Sequence, residues 1–425
     1  MSEKALHSGN RKRFTNLLKP LSIAVFNSND ILPTNADGTM RFRQNTDIFW
    51  LTGINQEDTS LIIFPGHPDP ELREILFVKF VDDKFVKWHG DRLSKDDATK
   101  ISGIKNIKWH HEFEQTVGSL IPHSQHVFLN SNEHPKAERI VQTRDDRFIQ
   151  WCKVRFPLQN YHRSAPLLAD LRATKTAEEI RRIKEACRIT ELGFRRVLRF
   201  IKPGVSEHQV EAELIHEYLQ HNSYWADYEP IIASGKNACI LHYNTKHNIC
   251  KKGELLLIDA AASWKMYNAD LTRTIPVDGR FSKRQREVYN AVLRVHKAVK
   301  TFVKPGLTLL KIQEFTNNLL IEELLALKLF GKAELKEKGK AHFLNLYAYH
   351  GFGHQIGLDV HDTGNRYAEI PKNAVITIEP GIYIHKESIG IRLENIVQLT
   401  ASKTVDLMAT IPIEPDEIEM MMNSH

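Results

Sequence analysis

Between Leu21 and about Tyr161 the chain sets short apolar runs between turn residues. LIIF lies between Ser60 and Pro65, LFVKFV between Ile75 and Asp82, and VFLN between His126 and Ser131. Runs of this length, closed by turn residues at both ends, predict the strands of an α/β domain. The pattern changes near Pro166. Thr176-Ala-Glu-Glu179 reads as a capping box, and apolar residues then recur at Ile180, Ile183, Cys187, Phe194, Val197 and Leu198. That spacing predicts one face of a helix, which must end by Pro203-Gly204. The boundary is placed between about 160 and 175, giving domains of 1–165 and 166–425.

The second domain repeats itself in part. IKPGVS (201–206) and VKPGLT (303–308) each follow a helix opened by a capping box, Thr176 to Glu179 and Ser282 to Gln285. Later in each half an apolar run ends in a carboxylate: LLLID at Asp259 and VITIE at Glu379. Hexad, order and carboxylate together predict an internally duplicated α/β domain with one site shared by its halves.

The apolar share of 42% supplies two buried cores, and 26% charged residues is ordinary for a globular chain. The net charge of +6 is spread along the sequence and reads as a mildly basic surface, with no nucleic-acid partner expected. Arg11-Lys12-Arg13 and Lys336 to Lys340 are expected to be solvated. The four cysteines contain no C-x-x-C and form no disulfide framework. The N-terminal stretch has no apolar signal region, and no apolar run approaches the roughly 18–20 residues of a membrane span. A cytoplasmic location without membrane association is the expectation.

Two predicted hairpins bring acids together. In LLLIDAAASWKMYNADLTRTIPV a turn centred between Trp264 and Lys265 places Asp259 directly opposite Asp270. In EPGIYIHKESIGIRLE a turn centred between Lys386 and Glu387 places Glu379 opposite Glu394, a register made less secure by Pro380. Facing carboxylates are destabilising unless a cation, a shared proton or a buried Arg or Lys lies between them. Two divalent ions would balance four acids. YHGFGHQIGLDVHD (349–362) adds His350, His354 and His361 among three glycines. Gly351 and Gly353 argue against a helix and for a loop whose backbone approaches something closely. One histidine can then bind metal while the others face substrate. His216 and His221, in H-E-x-x-x-H, are expected on the surface.

At these residues the sequence resembles the Xaa-Pro aminopeptidases of the pita-bread metallopeptidase family. SGKNACILHY (234–243), the LLID and TIEPGIYI hairpins, HGFGHQIGLDVHD and GIRLEN (390–395) carry the likeness. FRQNTDIFWLTG (42–53) extends it into the N-terminal domain. The resemblance implies a pita-bread (creatinase/aminopeptidase-like) catalytic domain behind a smaller α/β creatinase-type N-terminal domain. It implies that Asp259, Asp270, His354, Glu379 and Glu394 hold two divalent ions, with Asp270 and Glu394 bridging. Manganese is expected, with Co²⁺, Zn²⁺ or Fe²⁺ as alternatives. By the same resemblance His242, His350 and His361 face substrate, Tyr383 lies near the site, and Arg392 orients a ligating carboxylate by a bidentate contact. A metal-bridging hydroxide would attack the bond before a proline at position two. Glu379 would carry the proton, and His361 or His242 would steady the oxyanion. Trp88 matches a residue that can reach a neighbouring subunit, so a homo-oligomer, dimer or tetramer, is expected. Readings still open at this point are a prolidase, a creatinase-type hydrolase, a non-catalytic binding module and a structural Ca²⁺ site.

Overall fold

The computed structural model describes residues 2–138 and 140–424. It contains two compact units, residues 1–171 and 172–425.

The first unit is built on a six-stranded mixed sheet. Its order is Asn106–Trp109, Glu74–Val78, Ser60–Ile63, Ser22–Asn27, His126–Leu129 and Asn160–Arg163. Each predicted run supplies a strand. The central strand, SIAVFN, is buried along its whole length, as expected where neighbours and both faces are covered. Ile23, Val25, Ile62, Phe77, Val117 and Val127 share one apolar core. One expectation fails here. Arg11 is only 2% exposed, and its guanidinium donates to the carbonyls of Leu51 and Ser102 and to Glu74. Those acceptors offset its burial. Lys12 is exposed, as is every residue from 336 to 340.

In the second unit the duplication is visible bond by bond. Helix Ala177–Phe200 and helix Lys283–Phe302 both start in capping boxes, at Thr176 and Ser282. Both chains then turn through a left-handed glycine, Gly204 and Gly306. The Gly204 amide donates to Cys250 O and the Gly306 amide to Ile370 O. Cys250 N returns a bond to Val205 O, and Ile370 N to Leu307 O. The second helix of each half follows, Glu207–Gln220 and Leu309–Ala326. All four cysteines are buried free thiols. No helix among the described residues is long and apolar enough to cross a membrane.

The hairpins differ in how the prediction fares. Lys265 and Met266, both at positive φ, make the first turn, the backbone that suits a two-residue hairpin loop. Trp264 therefore pairs with Tyr267, and Asp259 pairs with Thr272 rather than Asp270. The turn is displaced by one residue and the pairing by two, so Asp270 keeps the same face, diagonal to Asp259. In the second hairpin Ile378 pairs with Asn395 and Gly381 with Arg392. Glu379 thus sits across from Glu394 as expected. Pro380 interrupts the ladder between the two strand pairs, and its carbonyl still accepts from Leu393 N.

Candidate metal centre

The glycine-rich stretch forms neither helix nor continuous strand. It lies along the second hairpin, where Ile356 N donates to Val375 O, Thr377 N to His354 O and Glu379 N to Phe352 O. Contact is so close at Gly353 that a Cβ there would lie 2.2 Å from the Thr377 carbonyl oxygen. This is the close backbone approach that the glycines imply. The same stretch reaches the first hairpin just past its turn, where Asn268 donates from its backbone to Gly357 O and from its amide side chain to Leu358 O.

The acids of both hairpins meet around His354. Its Nε2 is 3.4 Å from Asp270 Oδ2 and 3.4 Å from Glu379 Oε1. Asp270, His354 and Glu394 each offer a donor atom within 4.8 Å of the others. His354 Nδ1 lies 3.0 Å from the Gln355 carbonyl, which can only accept, so Nδ1 carries a proton and Nε2 is the nitrogen turned toward the acids. Burial works against a charged His354, yet Asp270 and Glu379 raise its pKa overall. Burial pushes Glu379 up to about 7, with Asp270 and Asp259 adding to the rise and His354 opposing it. Burial, then Asp270 and Glu379, hold Glu394 well above the usual carboxylate range. Burial also raises Asp259, against the pull of Arg392.

Among the described residues, Asp259 Oδ1 and Glu394 Oε1 are buried without a hydrogen-bond partner. Unpartnered buried carboxylate oxygens, in a cluster whose members repel one another, fit cation binding. Four carboxylates and one imidazole form a hard donor set suited to divalent ions. The imidazole separates this group from an all-oxygen Ca²⁺ site.

Arg392 departs from its expected contact. It does not grip one carboxylate through two nitrogens. Nη2 donates to Asp259 Oδ2 at 2.7 Å, Nε to Thr272 Oγ1 at 3.2 Å and Nη1 to the Tyr383 oxygen at 2.9 Å. Paired with Gly381 in the ladder, its side chain spans both hairpins and spreads its fork over three partners.

His350 lies at the edge of the acids, its Nδ1 3.8 Å from Glu379 Oε2. Its Nδ1 bonds the Gly351 carbonyl at 2.8 Å and its Nε2 meets the Tyr383 hydroxyl at 2.8 Å. A carbonyl accepts, so Nδ1 is protonated and Tyr383 donates to Nε2. Burial, then the neighbouring Arg392 charge, push His350 down to about 3, which keeps it neutral. His361 packs edge-on against His354, with ring centroids 4.3 Å apart. The adjacent Asp362 is tied to Arg172 at 2.6 Å and Lys175 at 2.8 Å, all three side chains being at most 2% exposed. His242 is exposed on the segment after Ser234. Of the surface pair, His216 is exposed and His221 half-buried beside Glu217.

Three residues escaped the sequence reading. Tyr228 donates to Asp270 Oδ1 at 2.9 Å, and nothing in WADYEP signals it. Thr272 donates to Glu394 Oε2 at 2.7 Å, which a correct first turn would have revealed. Thr377 accepts from His354 N and lies 3.3 Å from Glu379 Oε1. Its two-residue spacing from Glu379 places both on one face.

Residues 181–401 match the model of metallopeptidase family M24, and residues 7–128 match the aminopeptidase P N-terminal domain. The chain is 29% identical to the Xaa-Pro aminopeptidase of Escherichia coli over 99% of both chains. It is 30% identical to that of Haemophilus influenzae over 92% of this chain and 90% of the relative. Its structure superposes on E. coli aminopeptidase P with a TM-score of 0.90 at 28% identity, covering 100% of this chain and 99% of the other. Other E. coli structures of similar likeness are a zinc-substituted enzyme in complex with product and a complex with the inhibitor Pro-Leu. With its catalytic half and its N-terminal part both matched, and relatives aligned along nearly its whole length, this chain belongs to metallopeptidase family M24.

Proposed function

We propose that this chain is an Xaa-Pro aminopeptidase, hydrolysing the bond between a peptide's first residue and a proline at position two. The observation that carries the reading is the convergence of acids from two hairpins on one histidine, within a chain related to aminopeptidases along nearly its whole length. Membership of a metallopeptidase family implies divalent metal ions. Asp259, Asp270, His354, Glu379 and Glu394 would hold two of them, and the oxygen-rich set favours manganese over zinc on ligand type. Such ions supply Lewis acidity and water that is acidic near pH 7.

The protein's own groups do the rest. Glu379, which lies 3.4 Å from His354 Nε2, is the group assigned to carry a proton to the leaving proline nitrogen. His361, packed against His354, and His242 are assigned to the carbonyl oxygen of the scissile bond. His350, held neutral by burial and the Arg392 charge, is assigned to the substrate side. Arg392 fixes Asp259 and links it to Tyr383. Residues 1–165 form the proposed N-terminal domain and 166–425 the catalytic one. Trp88 is 78% exposed, which supports contact with a second copy and a homo-oligomer. Buried reduced thiols agree with residence in the cytoplasm.

The test is mass spectrometry of Mn²⁺-loaded protein given Ala-Pro-Ala and, separately, Ala-Pro. Alanine released from the tripeptide alone establishes the aminopeptidase. Cleavage of the dipeptide alone makes the chain a prolidase. Bound manganese with neither peptide cut removes the substrate assignment. Gel filtration showing a fully active monomer removes the oligomer.

A further inference from the structure

Glu207 is completely buried, and its carboxylate gathers one segment of chain. Oε1 accepts from Ser234 N at 2.7 Å, Ser234 Oγ at 2.8 Å and Asn237 Nδ2 at 3.4 Å. Oε2 accepts from Tyr243 Oη at 2.9 Å and Asn248 N at 3.1 Å. All five donors are neutral, and together they span residues 234 to 248. His242 lies inside that span, next to Tyr243.

The duplication supplies an internal control. Glu207 directly follows IKPGVS, and Leu309 directly follows VKPGLT. Both helices are capped by the residue before, Ser206 and Thr308. A carboxylate is therefore not needed to start this helix. The first half has a buried acid where the second has a leucine, and the acid's partners all come from the segment that carries His242. A charged acceptor beneath a segment without helix beyond a single short turn replaces the backbone bonds that such a segment lacks.

We propose that Glu207 is a positioning residue, the hub that holds residues 234–248 so that His242 is presented to the substrate. The inference rests on the aminopeptidase reading for the role of His242, and on the structure alone for the fixing of the segment. Glu207→Gln keeps the shape. The Tyr243 hydroxyl can rotate to accept from the new amide, but the Asn248 N–H cannot, so that donor loses its acceptor and the hub its charge.

The experiment uses full-length, Mn²⁺-loaded protein, with circular dichroism to establish folding. Hydrogen exchange of peptides covering 234–248 reads the segment without reference to activity. Steady-state cleavage of Ala-Pro-Ala reads presentation, in wild type, Glu207→Gln, His242→Ala and the double variant. Expected are faster exchange confined to 234–248 in Glu207→Gln, kcat/KM reduced about 10-fold, and no further reduction when the change is made in His242→Ala. Unchanged exchange in a folded Glu207→Gln overturns the hub. Faster exchange with wild-type kcat and KM, or losses that multiply with those of His242→Ala, overturn the link to His242. If wild type leaves Ala-Pro-Ala intact, the aminopeptidase reading falls, and the exchange data still decide whether Glu207 fixes the segment. Glu207→Leu, which copies the second half, should exchange faster still if it folds.

Discussion

The two hairpins of the second unit bring their acids together by different routes. In Leu255–Pro276 the acids are aspartates set diagonally, one ending the ladder at Thr272 and one beyond it. In Ala374–Leu399 they are glutamates directly across from each other, in a gap that Pro380 opens in the ladder. The glycine-rich stretch runs along the second hairpin and meets the first at Asn268 and, through His354, at Asp270. Arg392 and Thr272 then tie the two together. The lesson is that duplicated backbones do not dictate duplicated chemistry. The two hairpins brace each other through side chains of both and through the Glu394 N–H on the Thr272 carbonyl, while the second is also braced by backbone bonds to the glycine-rich stretch.

The sharpest test of equivalence is to neutralise one acid in each hairpin. Asp270→Asn and Glu394→Gln should each lower kcat/KM by roughly 10³-fold, with metal content falling alongside by mass spectrometry. Loss in only one variant would break the idea of a shared centre. Next, Arg392→Met should reduce activity or metal affinity about 10–100-fold. The fall should trace to Asp259, so an Asp259→Asn background should show little further change. Gly353→Ala should cost about 1–3 kcal/mol in urea unfolding, because its Cβ meets the Thr377 carbonyl. A neutral result would mean that the stretch is not lodged against the second hairpin.

The smallest effect concerns the helices behind the hairpins. Counting back from the paired hexads, His296 occupies the place that Phe194 fills in the first half. His296 is buried with both ring nitrogens unpartnered among the described residues. Burial, then the Arg273 and Lys300 charges, push it down to about 3. A depressed histidine gives stability that is full above the unfolded pKa near 6.5 and is lost as pH falls toward 3. His296→Phe should therefore flatten the acid limb of the stability profile, by about 2 kcal/mol at pH 5 relative to neutral pH. Parallel pH profiles for variant and wild type would refute this.

Strand runs, the capping boxes at Thr176 and Ser282, and the duplication could be read directly from the sequence, because each is a local pattern with a local cause. The second hairpin could be read for the same reason, since the acids and the turn between them lie in one short segment. The first was misread by one residue because choosing between turns needs φ values that the sequence does not print. Tyr228 and the three-way split of the Arg392 fork depend on contacts across long separations in the chain, as does the burial of Arg11. No periodicity encodes such contacts. The glycines around His350 stated that something comes close, and only the structure says that it is Thr377.

The buried cysteines give the molecule a set of clocks. Burial pushes Cys152, Cys239 and Cys250 up to about 12, 11 and 12, and raises Cys187 further. Each sulfur is thus protonated and shielded while its surroundings hold. Alkylation can proceed only when a region opens, and the site that gains mass identifies the region. Cys152 reports the N-terminal unit. Cys187 reports the long helix of the first half, Cys239 the segment that carries His242, and Cys250 the turn that repeats at Ile370. One quenched labelling series would therefore rank the order in which the parts come undone.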